Sequence, residues 1–413
     1  MTESGRHVAL GAPGDRIEAD GSLVAGPHRQ VPPCRHFPEC GGCQLQHLDD
    51  AAFARFVQDR IASALAAQGL SADILDAHIS PPNSRRRASL RAERRGNQVL
   101  LGFNAEASHR IVDMRECHIL RPELFALVQP LRGLLATLLG PRTAAEVRMT
   151  LADQGVDLML DKVEVTGLEA TEALAAFAET HRLARLSTDD GYGPQTRWEP
   201  EPATVTLGHP RHPGESRDLG PLKAPAHVLP ETPAFAGVTA RGIAVALPHN
   251  AFLQATEEGE AALVATVREA VGPARIVADL FAGLGTFALA LDGRILAAEA
   301  SRDAVLALKS AANRAQRQVF VDHRDLFRRP LDTKELGRFE AIVLDPPRAG
   351  AREQVALLAR SAVPRIAYVS CNPSSFARDA KMLVEGGYRL LWVRPVGQFR
   401  WSTHVELAAA FAR

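Results

Sequence analysis

Arg275-Ile276-Val277-Ala278-Asp279-Leu280-Phe281-Ala282-Gly283-Leu284-Gly285-Thr286-Phe287-Ala288 reads as a buried strand that runs into a tight glycine turn. The run to Phe281 is short, largely apolar and without helical period. The glycines let the backbone turn closely beneath a ligand, and a helix is expected beyond them. A second strand, Ile295-Leu296-Ala297-Ala298-Glu299, ends in an acid about twenty residues after Asp279, placed to accept hydrogen bonds from ribose hydroxyls. Ala341-Ile342-Val343-Leu344-Asp345-Pro346-Pro347-Arg348 puts an acid and two prolines at the end of a third. In Arg365-Ile366-Ala367-Tyr368-Val369-Ser370-Cys371-Asn372-Pro373-Ser374-Ser375 the apolar core is a fourth strand, and Pro373 with its polar neighbours opens a helix. Four strand ends carrying polar groups predict an α/β fold with an open sheet, whose ligands bind at the carboxyl edge.

The 413 residues allow two or three domains, and 46% apolar with 23% charged residues is ordinary for a soluble globular protein. Lys+Arg and Asp+Glu each number 48, so no global field steers the chain toward a polyanion. Any nucleic-acid surface must be a local patch. No signal peptide and no membrane span are expected, and five cysteines argue against a disulfide framework. A cytoplasmic, monomeric protein without membrane partners is the expectation.

Residues 1–33 are rich in Gly and Pro and hold too little apolar sequence for a core. Cys34, Cys40 and Cys43 then cluster, with Cys117 the expected fourth ligand. The spacing leaves a tetrahedral zinc and a four-iron cluster open. Phe53, Phe56, Val57, Ile61 and Leu65 share one face of a helix expected over residues 49–70, capped by Asp49 or Asp50. Six arginines fall between Arg85 and Arg95, followed by a hairpin turn at Gly96-Asn97; such a ribbon suits RNA phosphates and bases. Residues 144–186 read as β-β-α-β, residues 209–242 as a disordered insertion, and 257–271 as a helix.

Gly283-x-Gly285-x-x-Ala288 also fits a dinucleotide fingerprint, but Asp345-Pro346-Pro347 suits methyl transfer to a nucleobase better than hydride chemistry. With Ser370-Cys371-Asn372-Pro373 and Trp401-Ser402-Thr403-His404-Val405-Glu406 following in order, the chain resembles the S-adenosylmethionine-dependent RNA uracil-5 methyltransferases. Cys34, Cys40, Cys43 and Cys117 match the iron–sulfur branch that modifies 23S ribosomal RNA. The resemblance implies a Rossmann-like class I methyltransferase domain over 246–413. It implies an α+β iron–sulfur and RNA-binding region over 34–245, and a remnant of an N-terminal β-barrel module over 1–33. It also implies a 4Fe-4S cluster rather than zinc. Cys371 would be the nucleophile and Glu406 the base, while Gln254, Phe281, Thr286, Glu299, Asp325 and Asp345 would line the cofactor and target base. Ribosomal RNA is the expected partner, ahead of tRNA. Gly397, where the family commonly has an acid, and Arg400 depart from the pattern, so different hydrogen bonding around Glu406 is expected.

The chemistry fits these groups. A thiolate adding to C6 of uracil makes C5 nucleophilic toward a methyl sulfonium, and a base must later remove the C5 proton. The site should favour the thiolate through the helix amides after Pro373. The base must also leave its stack to reach the sulfur. Two alternatives are a cytosine-5 RNA methyltransferase and a non-catalytic iron–sulfur RNA-binding protein. The lack of a second cysteine beside Cys371 disfavours the former, and intact Cys371 and Glu406 disfavour the latter.

Overall fold

In a computed structural model, which describes residues 8–207, 238–239 and 242–413, the glycine-turn stretch lies at the centre of a nine-stranded sheet. Five strands run parallel in the order Val319–His323, Arg294–Glu299, Ile276–Leu280, Ala341–Leu344, Arg365–Ser370. Glu406–Ala412 follows antiparallel, with Arg389–Gly397 beyond it. The short strands Asp73–Ile74 and His78–Ile79 add to that edge. Ala341–Leu344 is buried throughout, and Ile276–Leu280 and Arg365–Ser370 nearly so. These strands are therefore continuous apolar runs covered on both faces. The strand order reverses beside Ile276–Leu280, so the loops after 280 and 344 splay apart and open a crevice between them.

One expectation fails at that crevice. Residues 283–290 form successive turns rather than an α-helix. The buried Asp279 carboxylate accepts the Ala288 amide at 2.8 Å, which takes that donor out of a regular ladder. Gly285, at φ +92°, bends the chain where a Cβ would strike Leu308.

The central region is a six-stranded sheet in the order Gln195–Trp198, Arg185–Asp189, Gly155–Asp161, Ala144–Ala152, Arg87–Arg95, Gln98–Gly102. The β-β-α-β reading of 144–186 is met, with helix Gly167–Thr180 between the strands. The hairpin also turns as expected, Arg95 facing Gln98 across Gly96 at φ +60°. Helix Asp50–Ala66 starts where Asp49 accepts the Ala52 amide, and buries Phe53, Val57, Ile61 and Leu65 against the large sheet. Among residues 8–33 a two-stranded ribbon pairs Arg16–Ile17 with Leu23–Val24. The expected insertion at 209–242 falls almost wholly outside the described residues. Among the described residues no helix is long and apolar enough to cross a membrane.

The arginine-rich strand is used partly to hold the two sheets together. Arg86 is buried, donates to Glu260 at 2.5 Å and to the Gln254 carbonyl at 3.1 Å, and its amide donates to the Ala255 carbonyl. Arg94 donates to the carbonyls of Ala136 and Leu139 at the end of helix Val128–Leu138. Arg86→Ala removes the guanidinium that ion-pairs with the buried Glu260 and lowers unfolding free energy by about 3–5 kcal/mol. A denaturant midpoint that does not move would show the ion pair to be dispensable.

Candidate active site

The loops at the carboxyl edge enclose a cavity of about 660 Å³ lined by Gln254, Phe281, Thr286, Glu299, Asp325, Asp345, Cys371 and Glu406. All eight residues singled out for cofactor, base and chemistry therefore share one space. Glu299 is aimed by two backbone donors, Gly283 at 2.9 Å and Ser301 at 2.7 Å. Its carboxylate thus bridges the glycine turn and the start of helix Arg302–Arg314. Phe281 sits at φ +67° and packs its ring 5.4 Å from that of Phe327. Asp325 accepts the Phe327 amide, which fixes the loop that brings this second ring in.

Cys371 directly follows strand Arg365–Ser370, with only Asn372 between it and helix Pro373–Glu385. Asn372 caps the helix by accepting the Ser374 amide, and donates to the Arg348 carbonyl at 3.0 Å. Asp379, buried on the same helix, accepts from Tyr368 Oη at 2.7 Å and from the Ala351 amide at 2.8 Å. The Asp345–Arg348 loop and the cysteine are thereby locked to one support.

Glu406 is buried on the antiparallel strand. Gln398 Nε2 donates to its Oε2 and, at 2.8 Å, to Gln254 Oε1, while Gln398 Oε1 accepts the Ala255 amide. This amide supplies the hydrogen bonding near Glu406, and Gly397 contributes only room, since a Cβ there would meet Ile79. Arg400 turns away to the Ser80 carbonyl and Asp50.

Burial pushes the Glu406 carboxyl up to about 8, reinforced by Asp345, with Arg87 opposing. Asp345 rises to about 7 by burial alone, and Asp279 to about 8 by burial and then Asp345. The Cys371 thiol is also raised, first by burial and then by Glu406 and Asp345. The expected thiolate bias is therefore not met in the free site, because burial disfavours the charged sulfur and Glu406 and Asp345 add to that effect.

A carboxyl raised on folding favours the folded state below its unfolded pKa, and that advantage is lost as pH rises through the folded value. For Asp279, raised from 3.8 to about 8, the advantage fades between about pH 4 and about pH 8 and changes little above that. Wild type should accordingly lose about 1.4 kcal/mol per pH unit, several kcal/mol in all, relative to Asp279→Asn across that window. Parallel denaturation curves with a pH-independent difference would contradict the buried proton.

A second cavity gathers Cys34, Cys40, Cys43 and Cys117 with Phe37, Phe103 and Met114. All four are free thiols, and burial pushes Cys34 up to about 11 and Cys43 up to about 12. Among the described residues no group of three or more His, Cys, Asp or Glu side chains is arranged to hold a metal ion. The four thiols nonetheless face one apolar space.

Gln398 escapes the sequence reading, which places Arg87 only in the RNA-facing ribbon, not beside Glu406. Gln398 reaches Gln254 and Glu406 only because the edge strands fold back, and Arg87 comes from the other sheet. No local spacing marks either.

A model of the tRNA (Uracil-5-)-methyltransferase family matches residues 236–413. An uncharacterized RNA methyltransferase of Zymomonas mobilis is 51% identical, covering 100% of this chain and 96% of its own length. The 23S rRNA (uracil(1939)-C(5))-methyltransferase RlmD of Halomonas elongata is 31% identical, covering 95% of this chain and 78% of its own. The tRNA (uracil-54, C5)-methyltransferase of Pyrococcus abyssi, solved with S-adenosyl-L-homocysteine, shares the fold with a TM-score of 0.67 at 20% identity. It covers 98% of this chain and 95% of its own.

Proposed function

The chain belongs to the tRNA (uracil-5-)-methyltransferase family of RNA methyltransferases, and on that premise we propose that it methylates C5 of a uridine in ribosomal RNA. The observation that carries this is the convergence of Cys371, Asp345 and Glu406 with the glycine turn in one cavity. Its volume lies within the range of about 300–1,000 Å³ usual for small-molecule sites. Glu299, held by two amides at the cavity wall, suits a ribose diol. S-adenosylmethionine supplies an electrophilic methyl group when bound there.

Cys371 Sγ, its proton released to solvent, adds as thiolate to C6 of the target uracil, and the electron pair displaced to the ring makes C5 the nucleophile that would take that methyl group, with S-adenosylhomocysteine leaving. Glu406 takes the C5 proton, the C5–C6 double bond re-forms, and Cys371 leaves as thiolate. A carboxyl whose pKa is raised is a stronger base once ionised, which suits a carbon acid. Gln398, donating to Glu406 Oε2, fixes the direction from which the base approaches.

The ribosomal assignment is supported by the likeness to RlmD over most of both chains. The four cysteines suit a 4Fe-4S cluster, because four free thiols face an enclosed apolar space. Anaerobic reconstitution should give stoichiometric iron and sulfide in wild type and lose both in Cys43→Ser. A Cys43→Ser protein that loads iron normally would rule this set out.

The decisive assay supplies labelled S-adenosylmethionine and unmodified 23S rRNA or tRNA, then identifies the digested nucleoside. Labelled 5-methyluridine from rRNA supports the proposal. 5-Methylcytidine, or no label from any RNA, overturns it.

A further inference from the structure

A second polar cavity, about 190 Å³, adjoins the active site across residues 248–251, which line both. Its walls carry Arg85, Arg87 and Arg148, with Ser89, Asp157 and His249 among the remaining lining groups. The arginines differ in how their charge is spent. Arg148 is closed by a two-pronged ion pair to Asp161, and the Asp157 carboxylate is closed in the same way by Arg185. Among the described residues, Arg85 and Arg87 form no ion pair with a carboxylate. Arg85 Nε instead donates to the Arg87 carbonyl, and Arg87 Nη1 to the Leu253 carbonyl.

Both guanidinium groups are held by aromatic faces. Arg87 lies 4.7 Å from the Phe252 ring centroid, and Arg85 sits 5.6 Å and 5.9 Å from those of Phe399 and Phe103. Stacking fixes each plane while leaving N–H donors free to point into the cavity. Burial disfavours both charged forms, and although Glu406 faces Arg87 and the thiols of Cys117 and Cys43 face Arg85, no carboxylate closes either guanidinium by an ion pair, so donors on both remain to be met. An anion in the cavity would meet them.

We propose that this pocket holds a backbone phosphodiester of the RNA strand whose uridine enters the neighbouring cavity, an inference that rests on the uracil-methylation reading above. Several observations select the phosphodiester among anions. The volume falls below the range of about 300–1,000 Å³ typical of whole small-molecule ligands. Forked guanidinium donors match phosphate oxygens bidentately. No residue of the glycine turn reaches this pocket, so the carboxylate of the methyl donor has its place elsewhere. Phe252, 59% exposed, also lines the active cavity, leaving a flat ring between the two spaces on which a flanking base can rest. The pocket thus grips the backbone beside the base that has left its stack, and repays part of the unstacking cost.

The test measures equilibrium binding rather than turnover, because Arg87 also faces Glu406. Full-length wild type, Arg87→Gln and Arg87→Lys are titrated with a fluorescent single-stranded RNA containing one uridine, across a salt series. A matched set carries a neutral methylphosphonate at each linkage flanking the uridine in turn. S-adenosylmethionine affinity and the circular dichroism spectrum report whether each variant is folded. Arg87→Gln should weaken RNA binding about 5- to 10-fold and reduce the slope of log K against log salt by about 0.7. Arg87→Lys should keep most of the slope while losing part of the affinity. At one linkage, the methylphosphonate should weaken wild type but not Arg87→Gln.

If every linkage affects the folded variants and wild type alike, the pocket is no phosphate subsite, while 5-methyluridine formed by wild type in the nucleoside assay leaves the uracil-methylation reading standing. If wild type neither binds RNA nor makes 5-methyluridine, both this inference and the reading beneath it fall together. Should no variant fold, Phe252→Ala with the same methylphosphonate set decides. A linkage effect unchanged in both Phe252→Ala and wild type at all positions counts against the pocket, and one that shrinks at a single linkage supports it.

Discussion

Cys371→Ala should abolish RNA methylation, by roughly four orders of magnitude or more, while S-adenosylmethionine binding is little changed. The sulfur lies half-buried at the end of strand Arg365–Ser370, and the contacts that shape the cofactor side of the cavity do not involve it. Gly283 and Ser301 still donate to Glu299, and Asp279 still accepts the Ala288 amide. The side chain is small, and Asn372 holds the adjacent helix by its own contacts, so folding should survive. On the proposed mechanism, what vanishes is the thiolate addition that makes C5 nucleophilic. Isothermal titration with the cofactor alongside the labelled-methyl assay separates these effects. Residual transfer within about tenfold of wild type would remove the covalent step from the mechanism.

Glu406→Gln should have the opposite outcome for the bond to sulfur, accumulating a protein–RNA adduct that survives denaturing electrophoresis. The amide can still accept from Gln398, so the local network persists. Asp345 remains, but the substitution removes one of the two acids that hold the Cys371 thiol up, which makes the thiolate easier to form. Addition and methylation can then proceed, while removal of the C5 proton cannot. Overall turnover should fall about 10²- to 10⁴-fold, the usual worth of a general base. Turnover lost without any adduct would move the role of base to another residue, Asp345 being the nearest carboxyl in the same electrostatic set.

Much of the large sheet was readable because its strands are buried on both faces and therefore uninterrupted in sequence. Strand ends were legible too, since Glu299, Asp345 and Cys371 each break an apolar run where the chain leaves the sheet. Their convergence on one cavity follows from parallel strands ending at the same edge. The turn after Gly285 was misread as helix because the competing acceptor, Asp279, lies within the preceding strand and acts through its side chain. The charge state of Cys371 was misread for a related reason. It depends on burial and on Glu406 and Asp345, which only tertiary structure brings near. Composition showed an arginine-rich stretch, but not that Arg86 and Arg94 point inward while Arg85 and Arg87 donate to carbonyls rather than to ion-paired carboxylates.

The buried Arg86–Glu260 pair has a consequence for how a substrate is received. It joins the arginine strand to the helix that flanks the catalytic sheet, with backbone bonds on either side of it. Prising that seam open breaks a buried ion pair, so hinge-like gaping is expensive. Distortion is then borne by the nucleic acid, and discrimination among uridines becomes a contest of local RNA stiffness. Floppy junctions and frayed hairpin tips should win that contest, whereas a uridine inside a rigid duplex should be passed over even when its neighbours are identical.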